Sequence, residues 1–208
     1  MQFKLAEGMR EAGRSDWKQL GDILGEAFAE DPINDWIFEN PRAITSLFRI
    51  MADDIYTRQG FCHLIGDDAA AMWLPMGVTP DLSRMGLLRL VASQMRWGAK
   101  GALKRGMGAG AAMEAHHPET PHLYLFAIGT RNAARGKGLG KALLRPVLEI
   151  ADREGWPIYL ENSNPVNSGF YRANGFEQMG EPFPVGEGSP VMEPMWRAPA
   201  QIRKVSAI

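Results

Sequence analysis

The residues best suited to chemistry form a glycine-rich stretch with three cations, Arg135-Gly136-Lys137-Gly138-Leu139-Gly140-Lys141. It follows a strand-like apolar run, 122–130, and opens a segment with apolar residues at helical spacing, 139–151. Backbone N–H groups in the first turn of a helix lack partners within the helix, and the helix dipole favours negative charge there. The stretch therefore predicts a site for a phosphate-bearing ligand. The alternative is an ordinary glycine-rich connection that needs positive φ.

Two familiar phosphate loops do not match this stretch. A Walker loop needs Ser or Thr after Gly-Lys, but Ala142 follows Lys141, and Arg135 occupies the first glycine position. A dinucleotide fingerprint that starts at Gly136 would need its third glycine at Lys141. The pattern present is Arg-x-x-Gly-x-Gly, so the usual nucleotide-binding classes are excluded.

Composition limits the remaining classes. A chain of 208 residues with a net charge of −1 suits one domain and gives no sign of nucleic-acid binding. No run approaches the roughly 20 apolar residues of a membrane span, and residues 1–14 lack the apolar stretch of a signal peptide, so we expect a cytoplasmic protein. Cys62 is the only cysteine, which excludes an internal disulfide and predicts a buried, inert thiol. The four histidines show no metal-ligand spacing, and His116 and His117 are interpreted as loop residues.

Hydrophobic periodicity and turn residues predict the elements that must position the glycine loop. The first half should contain an edge strand at 2–9, helices from Ser15 and Pro41, a loop at 30–36, a hairpin at Gly66-Asp67-Asp68 and two helices with a mobile joint over 81–115. The second half should contain the strand 122–130, a helix kinked at Pro146, a strand at 156–161, a short helix at 166–172 and closing strands at 176–179 and 191–196. The basic residues of 81–115 are interpreted as the solvated face of the helices, with a substrate lid as the alternative.

The order of these elements and motifs resembles the GNAT N-acetyltransferases. The matching residues are the loop Arg135 to Gly140, then Asn167, then Phe170-Tyr171-Arg172-Ala173-Asn174-Gly175-Phe176, and the likeness covers 121–197. The runs 122–125, 160–163 and 195–197 look like the subgroup that contains puromycin N-acetyltransferase.

The resemblance implies an α/β fold in a single domain, 1–208, with a mixed, mostly antiparallel central sheet flanked by helices. Residues 1–120 would form the acceptor side, and 121–197 the half that binds acetyl-CoA, a co-substrate used without a metal. The strand Ile128-Gly129-Thr130 would bond the pantetheine arm, and the loop from Arg135 to Lys141 would hold the pyrophosphate. Asn167 would contact the cofactor, and Tyr171 would protonate the departing thiolate.

Direct attack on a thioester requires an amine that has lost its proton, so the site needs a base. Glu161 is one candidate because its predicted strand lies beside the acyl site, and Asp31 and Asp35 of the predicted loop are others. Gly129 is interpreted as a point of close ligand approach. Arg131 is interpreted as a further charge directed towards the phosphates.

The function predicted is acetyl transfer from acetyl-CoA to the primary amine of a small molecule, by an enzyme without nucleic-acid or membrane partners. Two alternatives remain open at this point: a non-catalytic acyl-CoA-binding or sensor module, and acetylation of a protein or peptide amine. The acceptor and the oligomeric state, for which a homodimer is one candidate, are not readable from these residues.

Overall fold

Three antiparallel strands begin a mixed sheet that runs through the whole protein. The computed structural model describes residues 3–200, so Gln2 of the predicted edge strand lies outside it, and the first strand forms later, at Met9–Ala12. The strands are β1 Met9–Ala12, β2 Phe61–Ile65, β3 Ala69–Leu74, β4 Leu123–Thr130, β5 Ile158–Asn162, β6 Glu177–Gln178, β7 Phe183–Pro184 and β8 Val191–Arg197. Their order is β1-β2-β3-β4-β5-β8-β6, with β7 paired to β8.

Only one pair of neighbouring strands is parallel among the described residues. β4 and β5 run in the same direction, and every other pair is antiparallel, including the predicted β2–β3 hairpin. A parallel pair needs a long crossover connection. α7, Leu139–Glu154, provides that crossover and continues through Pro146. The predicted mixed, mostly antiparallel sheet in a single-domain α/β GNAT-like fold is confirmed.

Helices cover both faces of the sheet. They are α1 Trp17–Ala27, α2 Pro32–Phe38, α3 Pro41–Met51, α4 Thr57–Gln59, α5 Arg84–Trp97, α6 Ala102–His116, α7 Leu139–Glu154 and α8 Ser168–Ala173. The predicted loop at 30–36 was wrong, because Asp31 caps α2 and Pro32 occupies its first turn. The loop interpretation of His116 was also wrong, since that residue ends α6. α5 and α6 form the predicted helix pair, joined through a left-handed Gly101.

Two hydrophobic clusters follow from the alternation of side chains along β3. Ala70, Met72 and Leu74 pack with residues of α1, α2 and α3, while Ala71 and Trp73 pack with residues of α7 and α8. Cys62 is buried in the first cluster, and this burial raises its pKa to about 12. The sheet therefore separates two helical layers.

The described residues show neither a membrane-spanning helix nor a cluster of metal-ligating side chains. None of the helices within 3–200 has both the length and the apolar character that crossing a bilayer requires. The same residues contain no group of three or more His, Cys, Asp or Glu side chains that could hold a metal ion.

Candidate active site

The gap between β4 and β5 organises the site. The two strands pair only at Leu123 with Ile158 and at Tyr124 with Tyr159, although β4 continues to Thr130 and β5 to Asn162. Beyond these two pairs the strands separate, and their residues line two cavities instead of a ladder.

The first cavity lies beside the glycine loop, and we call it the loop cavity. Its volume is about 560 Å³. The predicted cofactor residues that line it are Ile128, Gly129, Thr130, Arg135, Gly136, Gly138, Leu139, Gly140, Lys141, Asn167 and Tyr171. Lys137, also predicted, is exposed and is not part of the wall. The structure thus brings residues from three separate stretches of chain around one space.

The glycines of the loop have backbone and packing reasons to be glycine. Gly136 and Gly138 have φ of +80° and +76°, in the left-handed region that other residues rarely adopt. A Cβ at Gly140 would lie 3.3 Å from the Phe170 ring, so this glycine lets α8 pack against the start of α7. Bare backbone at the first turn of α7 leaves its N–H groups accessible to an anion.

The three cations of the loop strengthen that anion site. Within residues 3–200, no ion pair involves Arg135, Lys137 or Lys141. The Arg135 guanidinium donates to the carbonyl of Ala27 at 3.4 Å, which holds it beside the cavity. Unpaired positive charge, open N–H groups and a volume of this size fit a phosphate-bearing ligand.

Gly129 and Arg131 have structural roles that were not predicted. A Cβ at Gly129 would lie 2.5 Å from the Cβ of Ala27, so α1 packs closely here; Gly129 also lines the loop cavity, and its approach to a ligand stays a prediction. The Arg131 guanidinium pairs with Glu26 and donates to the carbonyl of Asp67. Its charge is therefore balanced locally and is not directed towards the loop.

The second cavity lies beneath α5 and α6, and we call it the helix cavity. Its volume is about 410 Å³, and its walls come from α2, α3, α5, α6 and the separated ends of β4 and β5. Both cavities share Phe28, Ile128, Asn167 and Tyr171, so they meet at the gap.

Glu161 lines the helix cavity and is surrounded by phenols. The Tyr124 hydroxyl donates to its Oε2 at 2.8 Å, while its buried Oε1 has no hydrogen-bond partner in the described residues. Burial, and then the Glu161 charge, raise the pKa of Tyr56, Tyr124 and Tyr159, so these phenols stay neutral. One oxygen of this buried carboxyl group is thus without a hydrogen bond in the described residues.

A pair of histidines links Glu161 to solvent. The Thr120 carbonyl lies 2.6 Å from Nδ1 of His122 and can only accept, so this nitrogen carries the proton. Burial lowers the pKa of His122, so its neutral Nε2 accepts from Nε2 of His117 at 3.1 Å. Nδ1 of His117 is then free to exchange a proton, and it lies 3.6 Å from Oε1 of Glu161. No local sequence pattern predicts this contact between the two histidines and Glu161.

Tyr171 lies in the wall that the two cavities share. It is buried, and its ring contacts Phe170 edge to face, with the centroids 5.3 Å apart. Burial, with a smaller contribution from the Asp31 charge, raises its pKa well above that of a free phenol. Tyr171 therefore keeps its proton and can donate it at the gap.

The acidic residues of α2 do not reach the helix cavity. Asp31 accepts from the N–H groups of Ile33 and Asn34, and the Ser163 hydroxyl donates to its other oxygen at 2.5 Å. Asp35 is exposed. Asp31 is a helix cap tied to the end of β5 and lines the loop cavity, and Asp35 is exposed, so neither candidate base lines the helix cavity.

Comparisons with known proteins agree with this geometry. A family model described as Acetyltransferase (GNAT) family matches residues 104–176. An uncharacterized N-acetyltransferase of Schizosaccharomyces pombe is 26% identical over 176 residues, covering 77% of this chain and 70% of that protein. A structure from Corynebacterium glutamicum, described as histone acetyltransferase HPA2 and related acetyltransferase, has a TM-score of 0.69 at 25% identity, covering 94% of this chain and 97% of that one.

More distant structures share the fold alone. Drosophila melanogaster polyamine N-acetyltransferase has a TM-score of 0.62 at 14% identity and covers 91% of this chain and 98% of its own. Together, the family model, the S. pombe relative and the C. glutamicum structure support the GNAT acetyltransferase superfamily as the family of this chain, and an acyltransferase as its enzyme class.

Proposed function

We propose that this protein is an acetyl-CoA-dependent N-acetyltransferase that acts on the primary amine of a small molecule. The observation that carries the proposal is the meeting of the two cavities at the gap between β4 and β5, with Tyr171 in their shared wall. One cavity has an anion cradle, and the other has a buried carboxylate. This is the arrangement that transfer between a phosphate-bearing donor and an amine requires.

The loop cavity fits acetyl-CoA. Its pyrophosphate would be held by Arg135, Lys141 and the N–H groups of the α7 start, and its pantetheine arm by the free edge of β4 from Ile128 to Thr130. Asn167 would contact it beside the gap. When bound, acetyl-CoA supplies an acyl group already activated as a thioester.

Residues of the chain would move the two protons of the reaction. Glu161 takes a proton from the substrate ammonium, and His117, whose side chain is 33% exposed, passes it to water. The neutral amine forms the new C–N bond as the C–S bond breaks. The Tyr171 hydroxyl donates a proton to the departing sulfur, and the proton that the nitrogen loses as the amide forms returns to the Tyr171 oxygen.

Fold neighbours add a limited argument for a small acceptor. They include an agmatine N-acetyltransferase and the Drosophila polyamine enzyme, both named for small amines. At 14% identity they share the fold with this chain, and the choice of a small molecule rests on the enclosed shape of the helix cavity. The puromycin-like subgroup, the cytoplasmic location and a homodimer remain predictions.

The test is release of free CoA thiol from acetyl-CoA when single amines are added to the protein. The proposal expects release that depends on both the amine and its concentration. Tight CoA binding without turnover on any amine would instead favour a sensor module. Release with peptide amines alone would favour a protein acceptor.

A further inference from the structure

The wall of the helix cavity is unusual in its charge. Among the described residues that line it, Glu161 is the only one with an acidic or basic side chain. Its polar neighbours are Asn34, Gln94, Asn162, Ser163 and Asn167, and the rest of the wall is mainly aliphatic, methionine and phenylalanine side chains and glycine. A single carboxyl group in a mainly apolar cavity favours a ligand with one positive charge and an apolar remainder.

We propose that the acceptor is a primary amine carried on a bulky apolar body with no second positive charge. The inference rests on the proposed function and names the substrate class of the same site. The ammonium is recognised by the Glu161 carboxylate, whose buried Oε1 has no hydrogen-bond partner among residues 3–200 and lies 3.6 Å from Nδ1 of His117. The apolar body fills the space beneath α5 and α6.

Charge balance excludes polyamines and guanidino amines. A single ammonium is neutralised by Glu161, but a second cation in the cavity would lose its water without finding a carboxylate. Acidic groups around the cavity already have partners: Asp31 and Asp54 accept from Ser163 and Ser83, and Asp53 and Glu39 pair with Arg89 and Arg105. The cavity therefore penalises a second charge that lies within it.

The size of the cavity also favours a bulky body. A volume of about 410 Å³ lies in the range of drug-sized ligands and far exceeds what a short alkylamine fills. Phe28, Phe48 and Phe126 contribute flat apolar surface to its walls. An aromatic or branched body gains contacts here that a short alkyl chain does not.

The first experiment compares two amines of the same length that differ in charge, heptylamine and 1,6-diaminohexane, with 2-phenylethylamine as the aromatic member. Thiol release should give heptylamine a kcat/KM about 100-fold above that of the diamine. An equal or higher value for the diamine would overturn the inference while leaving the proposed function standing.

Binding separates the two ideas when turnover fails. Calorimetry with the CoA-loaded protein measures the binding affinity of each of the three amines in the absence of acetyl transfer. If heptylamine binds and the diamine does not, yet no thiol appears, the charge selection stands and the proposed function fails. If neither heptylamine nor 2-phenylethylamine binds, the charge selection fails, and thiol release with other amines still decides the proposed function.

A matched pair of glycine variants on α6 tests where the body lies. Gly106 lines the cavity and a Cβ there would meet Ile37 only at 3.7 Å, whereas Gly108 is exposed and outside the wall. Gly106→Leu should lower kcat/KM for 2-phenylethylamine about 10-fold by filling the space. Gly108→Leu changes helix propensity by the same amount but does not fill the cavity, so its kcat/KM for 2-phenylethylamine should stay within about twofold of the unmodified protein. Equal effects in two folded variants would contradict the placement.

Discussion

Replacing Glu161 by Gln removes a proton acceptor while keeping the shape of the site. In the unmodified protein the Tyr124 hydroxyl donates to Oε2 of Glu161 at 2.8 Å, and the amide oxygen of the variant can accept the same hydrogen bond. General base catalysis is worth about 10²–10⁴ in rate. His117 lies 3.6 Å from Oε1 and is partly exposed, so it can still take a proton through water in the variant. We therefore expect a loss at the lower end, about 100-fold in kcat/KM.

The assay measures thiol release against amine concentration at about pH 7 and about pH 9. An alkylamine has a pKa of about 10, so the free amine is about 100-fold more abundant at the higher pH, and the deficit of Glu161→Gln should shrink there. Acetyl-CoA affinity should stay within about twofold, because Glu161 does not line the loop cavity. Glu119→Gln, at an exposed position, is the matched control.

Two results would refute the role of Glu161. A loss below about fivefold would mean that another group removes the proton. A deficit of equal size at both pH values would mean that the carboxylate positions the amine without accepting its proton.

Three further predictions address the loop, the shared wall and the sheet. Arg135→Ala should weaken acetyl-CoA binding about 10-fold by calorimetry through loss of a charge-assisted bond, while Lys104→Ala, exposed on α6, should not. Tyr171→Phe should lower kcat about 10-fold or more at unchanged acetyl-CoA affinity, and an unchanged kcat would remove Tyr171 from the mechanism. Burial lowers the pKa of His63 to about 4 in the folded protein, whereas its value in the unfolded chain is 6.5. As the pH falls below 6.5, the unfolded chain therefore takes up a proton that the folded protein does not, and the folded protein becomes less stable. Urea unfolding should show a stability loss of about 2 kcal/mol from about pH 7.5 to 5 that is absent in His63→Leu.

The features that the sequence predicted well are those with local causes. The glycine loop lies between a strand and a helix because Gly136 and Gly138 take left-handed φ where α7 begins, and both facts follow from neighbouring residues. The strand that carries Glu161 has a continuous apolar run before it. These sequence patterns can be interpreted without knowing which distant residues pack against them.

The features that it missed depend on distant partners. His117 contacts Glu161, which lies on a different element. Asp31 accepts a hydrogen bond from Ser163, which is 132 residues away in the sequence. Gly129 packs against Ala27 of α1, where a Cβ would not fit. The error at α2 had a different cause, because Asp31-Pro32 was interpreted as a break when it is also a common start for a helix.

Four methionines in the wall of the helix cavity would let it accept apolar bodies of different shapes. Met51, Met107, Met113 and Met192 all line it, and an unbranched thioether side chain repacks around differently shaped neighbours at little cost. Glu161, by contrast, is held by the Tyr124 hydroxyl and cannot follow a displaced ammonium. Such a site is tolerant of outline and strict about charge, so one enzyme would serve a series of unrelated apolar amines.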